Sequence, residues 1–358
     1  MTSETKNTFL SLIRLGIGHC SGPLSKQIDW SAIEALAGQQ GLSPIVVNGI
    51  EQLPQDVRPP KSITLEMIGA SLMVEQKTKQ QWQSTLELVS FFKEQGITTV
   101  GLKGAAIAQW YPNFSQRDSC DFDCFLLKKN SDGTTEFAYE DGNRAVEALG
   151  VKVDKRIYVH SIFDYKGLTV ENHQYLSAVK LGKRHRKMDA FLRKLLMEEP
   201  LQPVMDSKLM MGSPMFNAVF LTHHAHRHFL NEYMPIKLLT DWALFVKNNT
   251  TLNWQLYQEY IDEFGMLRFA QSMTRLAGKL IGVSVPFELP EDTEADEMLE
   301  NSLWDVPEAS SGKRTMLTRH LRIISKLMHS RKKYKVFYDS SSLAMIVAYV
   351  KGYFFGKE

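Results

Sequence analysis

Apolar residues recur at three- and four-residue spacing over most of the chain, and one short central region instead alternates every two residues. Helical spacing covers residues 7–17, 30–52 and 62–95. Asp29 or Ser31 can cap the second of these; Pro54, Pro59 and Pro60 interrupt the chain after it, and the third stops ahead of Gly96. Residues 97–102, ITTVGL, read as a strand from their β-branched run. Gly104 permits a tight turn into a helical segment, Ala105 to Trp110, and Cys120 to Leu127 reads as a second strand.

A helix near Gly142 to Leu149 is followed by two β-rich runs, 156–163 and 168–175, divided by Asp164-Tyr165-Lys166-Gly167. On a two-residue turn at Lys166-Gly167, His160 faces His173; a four-residue turn shifts that register. After about residue 180 the pattern is helical again, over 187–198, 214–230, 235–248, 253–281, 313–337 and 341–355. The expectation is an α+β fold, a small mixed β-sheet core flanked by N-terminal and C-terminal α-helical regions. Its boundaries are 1–95, 96–180 and 181–358.

Composition narrows the functional classes. At 358 residues the chain can bury a substantial core, and 42 basic against 40 acidic side chains create no global field for nucleic acid. Cys20, Cys120 and Cys124 suit neither a disulfide framework nor a CxxC metal site; Cys120 and Cys124 are expected to pack on a buried strand in a reducing cytoplasm. No basic segment precedes an apolar one in the first twenty residues and no run of 18 apolar residues occurs, so neither a secretory signal nor a transmembrane helix is expected. Charge is uneven only near the C-terminus. Residues 288–308 hold nine acids and no Lys or Arg, whereas 313–335 hold nine Lys and Arg and no acid. With Leu317, Leu321, Ile324 and Met328 at helical spacing, 313–335 form an amphipathic basic helix. It either packs on the body near the acidic segment or makes weak contact with nucleic acid or an anionic surface.

The chemistry concentrates between Gly101 and Leu127. Alternation puts Asp121 and Asp123 on one face of their strand and Phe122 and Cys124 on the other. Two carboxylates converging to about 4 Å repel by roughly 4 kcal/mol at a surface-like dielectric, which Mg²⁺ or Mn²⁺ would offset. Taken alone, the pair also suits the solvated face of an edge strand. The glycine turn upstream and Arg117 between the two elements favour the cation, and a helix start at Gly104 would offer N–H groups to a phosphate. Farther along, Glu171 and His173 share a strand face by the two-residue period.

The order of strand, glycine turn, and strand bearing Asp-x-Asp resembles the nucleotidyltransferase superfamily that includes DNA polymerase β. The local words are similar to one branch, the uncharacterised bacterial nucleotidyltransferases: Lys103-Gly104-Ala105-Ala106, Tyr111-Pro112, Arg117, then Asp121 and Asp123. Residues 29–54 and 221–246 are similar to that branch's N-terminal and C-terminal helical segments. The chain departs from many superfamily members in carrying Lys103-Gly104-Ala105 where they have Gly-Ser, so it lacks a phosphate-holding serine there. Asp118 also adds a negative charge beside Arg117.

The resemblance implies that residues 96–180 form the nucleotidyltransferase core and that Glu171 joins Asp121 and Asp123 as the third metal-holding acid. It implies transfer of a nucleoside monophosphate from a nucleoside triphosphate, ATP first among candidates, to a hydroxyl of a small molecule, protein or RNA. Lys103, Gly104, Ala105 and Arg117 would hold phosphates, with His160 and His173 in support. A catalytically inactive nucleotide-binding or protein-interaction module on the same fold is the alternative. The resemblance also treats one or two of His223, His224, His226 and His228, together with Lys237 and Asp241, as a recurring helical-domain pattern. His224 and His228, four apart on one helix face, alternatively suggest a metal phosphohydrolase.

Overall fold

The computed structural model describes residues 1–20, 24, 27–231, 233–287, 289–305, 324–325, 327–338 and 342–351. Two compact units divide them. One comprises Met1–Gln174, Leu196–Ser213 and Leu280–Val283; the other comprises Tyr175–Leu195, Pro214–Lys279 and Ser284–Glu358. Helices surround a mixed sheet, the expected α+β class.

The first unit opens with α1 (Ser3–Gly16), α2 (Trp30–Gln40), α3 (Ser43–Glu51) and the 34-residue α4 (Lys61–Glu94). Thr2 caps α1 by accepting the Thr5 N–H at 3.1 Å, and Asp29 caps α2 by accepting that of Ala32 at 3.0 Å. The single helix expected over 30–52 is two helices. Gly41 turns left-handed at φ +63°, and the Leu42 N–H closes back on the Ala37 carbonyl at 2.9 Å, ending α2. Leu42 is fully buried, so an apolar residue that extends the helical pattern in sequence marks the turn in space.

The sheet consists of β1 (Ile97–Gly101), β2 (Phe122–Lys129), β3 (Thr135–Phe137), β4 (His160–Tyr165), β5 (Leu168–His173), β6 (Gln202–Pro203) and β7 (Met210–Met211), with α5 (Tyr139–Glu147) between β3 and β4. Its order is β4-β5-β2-β1-β7-β6, and β3 pairs with β2 off this path. One edge of β2 meets β1 antiparallel; the other meets β5 parallel over Phe122–Cys124 and β3 antiparallel over Leu127–Lys129. Phe122, Cys124 and Leu126 all point into one core with Leu88, Val89 and Phe92 of α4 and Val146 of α5. Period two then sends Asp123 to the opposite face. Cys124 is buried as expected, whereas Cys120 precedes the strand and is exposed.

The segment expected as a helix from Ala105 to Trp110 is instead two short 3₁₀ turns, Gly104–Ala106 and Ala108–Trp110. Only seven residues separate Gly104 from Pro112, and each turn closes with i→i+3 bonds such as Ala106 N–H to the Lys103 carbonyl at 3.1 Å. The N-terminus of a full helix is therefore not what adjoins the Asp-x-Asp strand.

In the second unit lie most of α6 (Lys183–Glu198) together with α7 (Pro214–Asn231), α8 (Ile236–Asn248), α9 (Trp254–Glu263), α10 (Leu267–Leu276), α11 (Thr293–Ser302), α12 (Arg331–Phe337) and α13 (Ser342–Val350). The helix expected over 253–281 breaks at Phe264–Met266, and α10 runs on as a π turn over Ala277–Ile281. Trp242, Trp254 and Tyr257 form an aromatic centre in which Trp242 Nε1 donates to Thr274 at 3.1 Å. The acidic segment finds its cations on α10, where Arg268 pairs with Asp292 at 2.6 Å and Arg275 with Asp296 at 2.7 Å. Of the basic stretch, residues 313–323 and 326 lie outside the described residues, and with them the expected amphipathic helix and its anionic contacts. Within α12, the Lys333 ammonium donates to the Phe229 carbonyl at 2.9 Å, and burial lowers it to about 8. Among the described residues no helix is long and apolar enough to cross a membrane.

His223 and His226 of α7 are buried, and desolvation, reinforced by charges on Arg184, Arg227 and His185, holds both imidazoles neutral; His226 falls to about 3. The unfolded chain binds protons at these residues below about pH 6.5 and the folded chain does not, so stability is present above that pH and is lost as pH falls. Each should cost about 2 kcal/mol of stability between pH 7 and pH 5. Urea unfolding at the two pH values checks this, with a smaller loss expected in His226→Gln.

Candidate active site

Strand pairing assembles the site. The parallel register of β2 and β5 sets Asp123 directly beside Glu171, and the antiparallel register of β4 and β5 sets His160 opposite His173. The second register follows from a two-residue turn, in which Lys166 at φ +52° and Gly167 at φ +79° give the type I′ geometry that matches strand twist. Of the two turn lengths the sequence allows, the shorter one forms.

Asp123 is 1 % exposed. Its Oδ1 receives the Lys103 ammonium at 2.9 Å and His173 Nε2 at 3.0 Å, while its Oδ2 is buried with no hydrogen-bond partner among the described residues. Burial alone would raise this carboxyl, but the Lys103 and His173 interactions outweigh it and hold Asp123 well below the usual carboxylate range. Asp121, just ahead of β2, is shifted the other way, by burial first and then by the charges of Asp123 and Glu171, against the pull of Lys103 and Arg117. Asp121 therefore senses the charges of both Asp123 and Glu171.

Glu171 Oε2 lies 3.4 Å from His160 Nδ1 and 3.6 Å from His173 Nε2. The two rings meet edge to face with centroids 5.0 Å apart. Burial, then the neighbouring His173, pushes His160 down to about 4. Burial also opposes charge on His173, yet its bonds to Asp123 and Glu171 prevail and raise it.

Gly104 stands at φ +54°, and a Cβ built there would come within 2.7 Å of Ser119 Oγ, 3.6 Å of the Asp121 carbonyl and 3.7 Å of Arg117 Nη1. Arg117 is buried, and its guanidinium donates to Ser119 Oγ and to the Asp118 carbonyl, each at 3.3 Å. Asp118 turns its carboxylate to Lys77 of α4 at 2.6 Å. Ala105, Arg117, Ser119 and Asp121 line a small, largely apolar pocket walled by Trp82 and Phe114. Ser119 has no place in the sequence reading, although it brings a hydroxyl beside the turn that lacks one. Its hydrophilic neighbours in sequence disguise it, and only the fold of the 3₁₀ segment carries it to Gly104.

The profile of the uncharacterised nucleotidyltransferase family matches residues 26–282, more than two thirds of the chain. The chain belongs to that family. The matched span contains the Asp-x-Asp strand, both histidine-bearing strands, α7 and α8. No match is found among curated proteins or solved structures.

Nucleotidyltransferases generally use divalent ions, and the donor chemistry of the residues here suits one. Carboxylate oxygens of Asp121, Asp123 and Glu171 supply hard donors, and the unpartnered buried Oδ2 of Asp123 is a donor with no other use. Among the described residues, His160, Glu171 and His173 also bring one ligand atom each to within 4.8 Å of one another. The structure does not unite every residue singled out by the sequence. Asp121 and Asp123 are absent from that ligand cluster, and so are His224 and His228, whose rings meet at 4.6 Å and which lie with Lys237 and Asp241 in the second unit.

Gly104→Ala should lower stability by about 1–2 kcal/mol from the left-handed backbone alone. The crowding at Ser119 adds to that loss. Thermal unfolding of the variant measures it, and a melting temperature equal to the parent's would contradict the close approach.

Proposed function

We propose that this chain transfers a nucleoside monophosphate from a nucleoside triphosphate, with ATP as the expected donor, to a hydroxyl acceptor on a small molecule, protein or RNA. The observation that carries the reading is the side-by-side pairing of Asp123 and Glu171 on adjacent parallel strands, with Asp121 coupled to both. Family membership supports an enzyme over a nonenzymatic module. The order of β1, the glycine turn and the Asp-x-Asp strand also fits kinship with the polymerase β-like superfamily, with residues 96–180 as the catalytic core, while a bacterial source rests on the resemblance in sequence alone.

Asp121, Asp123 and Glu171 would hold Mg²⁺ or Mn²⁺. Such ions, when bound, neutralise the triphosphate and activate the attacking and leaving oxygens of an in-line displacement. Lys103 offers a point charge to phosphate oxygens, and Arg117 a planar fork fixed by Ser119. Gly104 lets the backbone come close at the turn. The acceptor oxygen forms a bond to the α-phosphorus, the bond to the β-phosphate oxygen breaks, and pyrophosphate leaves with that electron pair. Glu171 accepts the proton lost by the acceptor and passes it to water. His160 and His173 keep Glu171 oriented toward Asp123. His224, His228, Lys237 and Asp241 are assigned no step, and the scheme is set in the cytoplasm.

Purified chain incubated with ATP, Mg²⁺ or Mn²⁺ and a panel of hydroxyl acceptors should release pyrophosphate and label one acceptor from α-³²P-ATP. Asp123→Asn should lower both signals at least a hundredfold while leaving the circular dichroism spectrum intact. Full activity in that folded variant would overturn the reading, and chelation by EDTA should silence the wild-type chain.

A further inference from the structure

The two histidines beside Glu171 are more than the proposed chemistry requires. Three carboxylates suffice to hold magnesium, an ion that favours oxygen ligands in a near-octahedral shell. Here the acid on β5 is flanked by imidazoles on both sides, one from its own strand and one from β4. Neither ring nitrogen of His160 has a hydrogen-bond partner among the described residues, and both atoms are buried. A neutral imidazole always carries one N–H and one lone pair, so enclosing Nε2 with no partner and Nδ1 with only the 3.4 Å approach of Glu171 is costly unless a ligand uses them.

We infer that His160, Glu171 and His173 form a nitrogen-rich cation position that takes a first-row transition dication, such as Mn²⁺ or Zn²⁺, in preference to Mg²⁺. It rests on the transferase reading only in setting a divalent ion beside Glu171. Three observations converge on it. One ligand atom from each residue lies within 4.8 Å of the other two, and ligands about 2.1 Å from a common ion stand at most about 4.2 Å apart. Side-chain shifts of less than an ångström close that gap. Two nitrogens and one carboxylate form a donor set suited to transition dications, because imidazole binds them far better than it binds magnesium. The neighbouring charges also divide the pocket, since the Lys103 ammonium already sits on Asp123 Oδ1 while the ion-pair contacts of Glu171 among the described residues are with the two imidazoles.

A simple aromatic pair would explain the ring contact between His160 and His173. It would not explain why Glu171 Oε2 approaches a nitrogen of each ring to 3.4 and 3.6 Å.

Isothermal titration of the full chain with MgCl₂, MnCl₂ and ZnCl₂, without nucleotide, is the direct test. Mn²⁺ and Zn²⁺ should bind at least tenfold more tightly than Mg²⁺. Electron spin-echo modulation of bound Mn²⁺ should show coupling to imidazole ¹⁴N. In His160→Ala that coupling should weaken and Mn²⁺ affinity fall at least tenfold. His160→Gln serves as a second variant should the first fail to fold by circular dichroism. Equal affinity for Mg²⁺ and Mn²⁺, absent ¹⁴N coupling, or unchanged binding in a folded His160 variant would overturn the inference. Nucleotidyl transfer supported by Mg²⁺ with no nitrogen coupling would reject this position and spare the transferase reading. Nitrogen coupling without any transfer would do the reverse.

Discussion

A carboxylate withdrawn from water in the middle of a sheet governs this site. Removing the charge of Asp123 from solvent costs several kcal/mol after relaxation, and only closely placed cations and hydrogen bonds offset that. Lys103 and His173 do so from two sides. Their positions are set by backbone pairing: the Leu102 N–H donates to the Asp123 carbonyl at 3.1 Å just before Lys103, and β5 runs parallel beside β2 to bring in His173. Losing either partner would leave an uncompensated charge in the interior, so the electrostatics and the strand order hold each other in place.

The opposite face of the same strands explains why that arrangement is rigid. Phe122, Cys124 and Leu126 alternate with Asp123, and their burial against α4 forbids a one-residue slip, which would exchange the apolar and acidic faces. Beneath β5, Asn172 donates to Asn143 at 2.9 Å and to the Tyr139 carbonyl at 3.1 Å, while Ser161 donates to Asn143 at 2.7 Å. These buried bonds tie α5 to both histidine-bearing strands from the side away from the acids. The chemistry on one surface is thus positioned by packing and polar contacts on the other.

Much of this was legible in the residues because it depends on local periodicity. Two-residue alternation separates Asp123 from Phe122 whatever the fold, and Asp164-Tyr165-Lys166-Gly167 announces a hairpin, although only the structure selects the two-residue turn that pairs His160 with His173. The β-branched run at Ile97 and the long helix before it likewise carry their own signals. What stayed hidden depends on where the chain travels. The apolar spacing of 30–52 continues straight through Gly41 and Leu42, so the turn there is visible only once Leu42 is seen buried. The tight path between Gly104 and Pro112 reads as a helix by composition but closes as 3₁₀ turns. Ser119 reaches Gly104 through that path alone, and Lys77 reaches Asp118 across forty-one residues of sequence. The short strands at Gln202–Pro203 and Met210–Met211 have too few residues to show a period and exist because β1 offers them an edge.

The hairpin tip carries a consequence for the rest of the site. Six residues of strand, about 20 Å of extended backbone, separate Lys166 from the histidines, yet the handedness of that single residue decides whether the two imidazoles meet. Lengthening the loop by one residue would turn one arm of the hairpin over and send its ring to the hydrophobic side. Loop length at a distant, solvent-exposed corner therefore acts as a ruler for the donor atoms around Glu171, and relatives with a longer loop there would be expected to surround the same acid with different chemistry.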